Sequence, residues 1–173
     1  MTDGIDELRR RVVAAQTALD DIDWDGVSPV IGVPGPRERT ADLPVPLQRL
    51  YSVFDGCEAF PLMEISGYAD VRNAFRAEVG DGPVERLLRD EVGIGTVTSS
   101  DLLTVGRGSG SVSLWATDDF MSFEETGEPI ERRLFVEDPI AFFTEHLFGA
   151  GYREHAFAED DPWLALLVHA KLA

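Results

Sequence analysis

The chain has little cysteine, little basic charge and no long apolar run, and each shortage removes a class of protein. Cys57 is the one cysteine in 173 residues, so no disulfide can close within the chain and a reducing compartment fits. Lysine and arginine together number 15 against 32 aspartates and glutamates, a formal net charge of −17 at pH 7. Nucleic-acid binding draws its affinity from cations that neutralise phosphates, so direct contact with DNA or RNA is not expected. Anionic membrane surfaces are disfavoured for the same reason. The densest basic run, Arg9-Arg10-Arg11, lies between the acids Asp6-Glu7 and Asp20-Asp21. No stretch of about 18 apolar residues offers a membrane span. Met1 to Asp6 shows neither the basic nor the apolar region of a signal peptide, so a cytoplasmic location is expected.

Hydrophobic residues make up 44% of the sequence, too much for a disordered chain despite its charge. A domain of this length buries roughly 70% of its unfolded surface and can hold a core without metal or disulfide. A single domain over residues 1–173 is the expectation, α+β in class: an antiparallel sheet of about four to six strands flanked by N-terminal and C-terminal helices.

Ile5, Leu8, Val12, Ala15, Leu19 and Ile22 recur at steps of three and four, predicting a helix over 3–23. Five prolines between Pro29 and Pro46 mark a long connection, with Val30–Val33 as a possible edge strand. A helix follows from Pro46 to about Phe54, closed by Asp55-Gly56. Ala59–Ile65 reads as one strand and Asp70–Val79 as a helix. Val84–Glu91 reads as a helical turn or two with Val84, Leu87 and Leu88 inward. Leu102–Val105 and Val112–Ala116 are strands joined by the glycine-rich hairpin Gly106–Ser111. Phe120–Phe123 and Arg133–Val136 read as further strands. Asp138-Pro139 and Asp161-Pro162 each open a helix, with Asp as N-cap and Pro at the first turn, the last helix covering 161–172.

The search for chemistry returns structural readings. Gly106, Gly108 and Gly110 have Ser111 where a dinucleotide loop needs its third glycine, and they lead into a strand. His146, His155 and His169 lack metal-ligand spacing, and no metal or cofactor is expected. Cys57 has no histidine near it in sequence and reads as a buried thiol. The serines lack a nucleophile elbow. Trp24, Trp115 and Trp163 sit in apolar surroundings and read as core. Acids cluster at Asp118-Asp119, Glu124-Glu125, Glu128 and Glu159-Asp160-Asp161, as solvated turns or as a contact surface. Residues 101–173 carry 14 acids against 5 bases, a net −9.

The order of these signals resembles the SUKH superfamily, the Smi/Knr-type group of bacterial immunity proteins and fungal cell-wall regulators. Leu43-Pro44 leads a short helix ending in Asp55-Gly56. A strand then runs into the Gly106, Gly108, Gly110 hairpin and a second strand through Trp115. After an acidic tract, a helix carries Phe143. The likeness spans about 40–148, with the helix over 3–23 and the helix over 161–172 as additions. Asp55 stands where the family usually has Asn, and Asp-Pro-Ile-Ala-Phe-Phe replaces the usual Ser-Phe opening.

What the resemblance implies is a non-catalytic binding protein, a monomer or weak dimer, that neutralises a toxin stoichiometrically. The partner would be a basic toxin domain, for instance a nuclease, since an acidic inhibitor steers onto such a surface. The candidate surface comprises Asp118, Asp119, Glu124, Glu125 and Glu128, then Glu159, Asp160 and Asp161, with Phe120 as a possible apolar anchor. A regulatory or scaffold adaptor of the same fold is the alternative, and a carboxylate-based or metal-assisted hydrolase a more distant one.

Overall fold

The computed structural model describes residues 4–26, 28–34, 43–59, 63–97, 101–130, 132–154 and 161–173. Alternation sets the centre of the fold. Along β4 (Glu91–Val97), β5 (Asp101–Gly106) and β6 (Val112–Trp115), Val92 and Ile94, Leu103 and Val105, and Val112 and Leu114 are all buried. Antiparallel register sets Val92 opposite Val105, Val105 opposite Val112 and Leu103 opposite Leu114, so one sheet face is continuously apolar.

Four shorter strands extend this centre: β1 (Val30–Ile31), β2 (Cys57–Ala59), β3 (Met63–Ile65) and β7 (Arg132–Val136). Order in the sheet equals order in sequence, and every neighbouring pair is antiparallel. The class is α+β, as expected, but the described strands number seven rather than four to six. Two strands account for the excess. The expected strand Ala59–Ile65 is a pair, with Ala59 opposite Met63. β4 is hidden because Gly93 and Gly95 dilute its alternation at a register shift.

The helices cover the apolar face. α1 (Gly4–Asp21) buries Ile5, Leu8, Val12 and Ala15 of the predicted stripe and, beside them, Ala18, while Leu19 and Ile22 are half-buried against the core. It packs on the C-terminal helices, so this helix belongs to the core. Its arginines pair locally with Asp6 and Glu7, which cancels the one basic run. The Arg11 hydrogen bond and the neighbouring guanidinium charges hold the Glu7 carboxyl below the usual range, against the opposing effect of burial.

At the other end of the chain, Asp138 accepts a 2.9 Å hydrogen bond from Ile140 N and opens α6 (Pro139–Phe142). The helix then widens into a π-helical turn, Phe143–Leu147. Widening frees carbonyls, and side chains from elsewhere meet them. Arg11 Nη1 donates to Thr144 O at 3.0 Å and Phe148 O at 3.3 Å, and Trp163 Nε1 donates to Leu147 O at 2.7 Å. Trp163 begins α7 (Pro162–His169), and its ring meets Phe148 edge-on at 5.4 Å. Trp115 and Trp163 are buried as expected, and Trp24 is half-buried against the core.

Two of the residues that carry the family resemblance, Pro44 and Gly110, come together in space. Leu43 is buried and Pro44 precedes α2 (Val45–Leu50). The hairpin closes through Gly106 N to Ser111 O and Gly110 N to Gly106 O, each 2.8 Å, as its glycines predict. Gly110 has φ +74°, and a Cβ added there would lie 3.4 Å from Pro44 Cβ, so the hairpin tip rests on the start of α2. Gly56 has φ +80°, and a Cβ there would fall 2.6 Å from Ile65 O, which leaves no room for a side chain. Asp55 Oδ1 accepts from Tyr68 N at 2.7 Å, fixing the entry to α3 (Tyr68–Arg76). Phe54 and Phe143 join the two halves with ring centroids 5.2 Å apart.

Three expectations are corrected. The inward turn Val84–Glu91 is α4 (Pro83–Leu87), which buries no residue fully and leaves Leu87 exposed, because it packs on another surface helix rather than on the core. The expected strand Phe120–Phe123 is part of a helix, α5 (Asp118–Thr126). Asp161 is buried rather than superficial, for the reason given below.

Candidate interaction surface

α5 follows β6 after two residues, and its sequence suits a helix better than a strand. Asp118 and Asp119 occupy the first turn, where the helix dipole favours negative charge. Phe120 and Phe123, three apart, are both half-buried and form the inner face. Gly127 at φ +74° ends the helix, donating to Phe123 O at 2.9 Å. Pairing Phe120 with Phe123 across a strand fails because three is not an even step.

The helix and the turn after it gather five of the expected contact acids. Asp118, Asp119, Glu124, Glu125 and Glu128 are all exposed, and among the described residues none of them forms an ion pair. Met121 stands between them, 71% exposed, three residues after Asp118 and three and four before Glu124 and Glu125. The exposed apolar side chain on this face is therefore Met121. Phe120, expected in that role, is turned half inward. No basic residue occupies the last turn, so Glu124 and Glu125 stand uncompensated at the negative helix end.

The second acidic group does not join them. Asp161 is 1% exposed and spends its carboxylate internally. Oδ1 accepts from Trp163 N at 2.8 Å and Leu164 N at 3.1 Å, and Oδ2 accepts from Tyr152 OH at 3.0 Å. It is the N-cap that its Asp-Pro sequence predicts, which excludes it from a contact surface. Burial, reinforced by this carboxylate, pushes the Tyr152 phenol well above its ordinary value. Glu159 and Asp160 lie outside the described residues.

Two further polar places escape sequence reading. On the sheet face away from the core, Glu91 gathers Thr104, Ser113 and Trp115. Trp115 Nε1 donates to Glu91 Oε2 at 2.9 Å, and Ser113 Oγ to Glu91 Oε1 at 3.3 Å. The sequence signal is a single hydroxyl residue in each strand, Thr104 of β5 and Ser113 of β6, which face each other. A shallow groove of about 210 Å³ beside β1, β2 and β3 is lined by Asp55, Glu58, Glu64 and Asp70. Glu58 and Glu64 face each other across the strands, from segments that sequence reading ran together.

The reactive candidates are placed apart. Cys57 is buried, and burial pushes its thiol well up, away from the nucleophilic form. His146 stacks on Phe142 at 5.6 Å, His169 lies exposed in the last turn of α7, and His155 is outside the described residues. Among the described residues no three His, Cys, Asp or Glu side chains converge as a metal site. No described helix is long and apolar enough to cross a membrane.

No protein-family model, curated protein or solved structure matches the chain.

Proposed function

We propose that the chain is a non-catalytic binding protein of the Smi/Knr-like kind, an immunity protein that neutralises a basic toxin domain by stoichiometric contact through α5. The observation that carries this reading is α5 itself: exposed carboxylates, without ion pairs among the described residues, around an exposed methionine. A helix that served only the fold would not need acids against its own dipole. A cationic partner relieves that arrangement, and Met121 supplies the desolvated anchor that charge alone does not. The net charge of −17 steers encounter with such a partner and repels polyanions. The meeting of Pro44 with the glycine hairpin, and of Phe54 with Phe143, accords with a shared scaffold behind the family resemblance.

The adaptor reading shares the scaffold and lacks the toxin. Co-purification with the product of the adjacent gene distinguishes them. Titration of the pair at rising salt then tests the electrostatics: affinity should fall steeply, and Asp118→Asn with Asp119→Asn should flatten the salt slope. An affinity indifferent to salt defeats the acidic-surface reading.

A further inference from the structure

Strand β7 forms one edge of the sheet. Its inner side pairs with β6, and among the described residues no strand pairs with its outer side. Such an edge offers a row of backbone donors and acceptors to another chain, and proteins either blunt it or use it. This one is blunted only at its start, where Arg132 and Arg133 together face Trp115 across a register shift. None of its five residues is fully buried, and Phe135 is 48% exposed.

The residues run Arg132-Arg133-Leu134-Phe135-Val136-Glu137-Asp138: two cations, three apolar residues, two anions. A two-fold antiparallel pairing requires that residues equidistant from its centre be complementary. Centred on Phe135, the segment meets that requirement from Arg133 to Glu137. Phe135 faces its own copy, Leu134 faces Val136, and Arg133 faces Glu137, the residue at which the chain bends out of β7, while Arg132 at the register shift and Asp138, spent as the cap of α6, lie beyond the pairing. Centring on Leu134 or Val136 instead sets Arg132 and Arg133 against apolar residues or proline. We propose that the chain self-associates through β7, joining two sheets edge to edge about a two-fold axis at Phe135.

The geometry suits a modest, reversible contact. Arg133 Nη1 already holds Asp101 Oδ2 at 2.5 Å, and its forked donors leave others for a second carboxylate. Arg132 lies over both the Trp115 and Phe135 rings, at 5.3 and 5.1 Å to their centroids, which extends the stacked surface to the edge. This inference is independent of the toxin reading and needs no partner protein.

Sedimentation velocity on the full chain tests it, with Arg133→Glu, Glu137→Lys and their equimolar mixture. The unaltered chain should gain mass with concentration toward that of a dimer. Each variant alone sets like charges opposite and should weaken association on the order of tenfold. The mixture should recover it, because every 133–137 pair is then opposite in sign. Arg133→Glu also breaks the Asp101 pair, so circular dichroism accompanies it. If that variant unfolds, Glu137→Lys and Phe135→Ser must each weaken association by themselves. A chain that stays monomeric to about 1 mM, variants that associate like the parent, or a mixture of folded variants that recovers nothing overturns the proposal.

Discussion

The C-terminal helical layer and α5 are both made from acidic, aromatic sequence, yet they use their polar groups in opposite ways. In the C-terminal layer, Asp161 ties together Tyr152, Trp163 and Leu164, and Arg11 and Trp163 answer the carbonyls that the π-turn releases. Around α5, five carboxylates hold no cation among the described residues, and an apolar side chain points to solvent. Buried polar groups must be satisfied because leaving them bare costs free energy. Exposed ones carry no such demand. An acid within the core is therefore fixed by the fold, whereas an acid on α5 is left open to selection for contact.

The contrast breaks most visibly at its aromatic centre. Trp163→Ala should cost about 3–5 kcal/mol, because it empties a large buried site and also orphans the Leu147 carbonyl. Met121→Ala should change stability by no more than about 0.5 kcal/mol while weakening partner binding. Chemical denaturation of both variants checks the pair, and similar losses in the two would erase the distinction.

A smaller effect separates the acids. Asp161→Ala should cost about 2–3 kcal/mol through the lost cap and the bare Tyr152 hydroxyl. Asp161→Asn should recover most of it, since an amide oxygen still caps. An Asp161→Ala variant as stable as the parent would contradict the buried role.

The same pair predicts an alkaline signature. The Tyr152 phenol is raised in the folded state, so its contribution is whole below the ordinary phenol value of about 10 and is lost progressively as pH rises above it. Thermal melts from pH 8 to 11 should show this decline, and Tyr152→Phe should make it shallower. Equal slopes would remove Tyr152 from the account.

The smallest expected shifts lie on α5 and differ in sign. Neutralising Glu124 and Glu125 should stabilise by up to about 1 kcal/mol, and neutralising Asp118 and Asp119 should destabilise by no more than that. Partner affinity should fall in both cases. A double variant in which stability and affinity move together at both ends would identify α5 as a structural element only.

Legibility in the sequence follows the strength of local rules. α1, α6 and α7 are readable because an apolar stripe and two Asp-Pro caps act within one turn. The central hairpin is readable because alternation and glycine agree. β4 is lost because its two glycines erase the alternation, and β2 and β3 are run together as one strand because three-residue strands carry too little pattern to show the turn between them. α5 is misread because Phe-x-x-Phe in a polar segment has weak periodicity of either kind. Asp161 shows the limit for sites: the Asp-Pro motif announces the cap, but only Tyr152, nine residues away, shows that the carboxylate is fully committed.

The sheet's strictly sequential order has a kinetic consequence. Each strand pairs with the next one along the chain, so strands can zip in the order of synthesis, with short loops at β2–β3, β4–β5 and β5–β6 and helix-bearing connections elsewhere. α1 is the exception. It is made before every strand, but the helices it packs on are made after all of them. During synthesis its Leu8 and Val12 stripe must wait exposed while the sheet assembles. That interval, rather than the finished fold, is where this chain is most open to chaperone capture or aggregation.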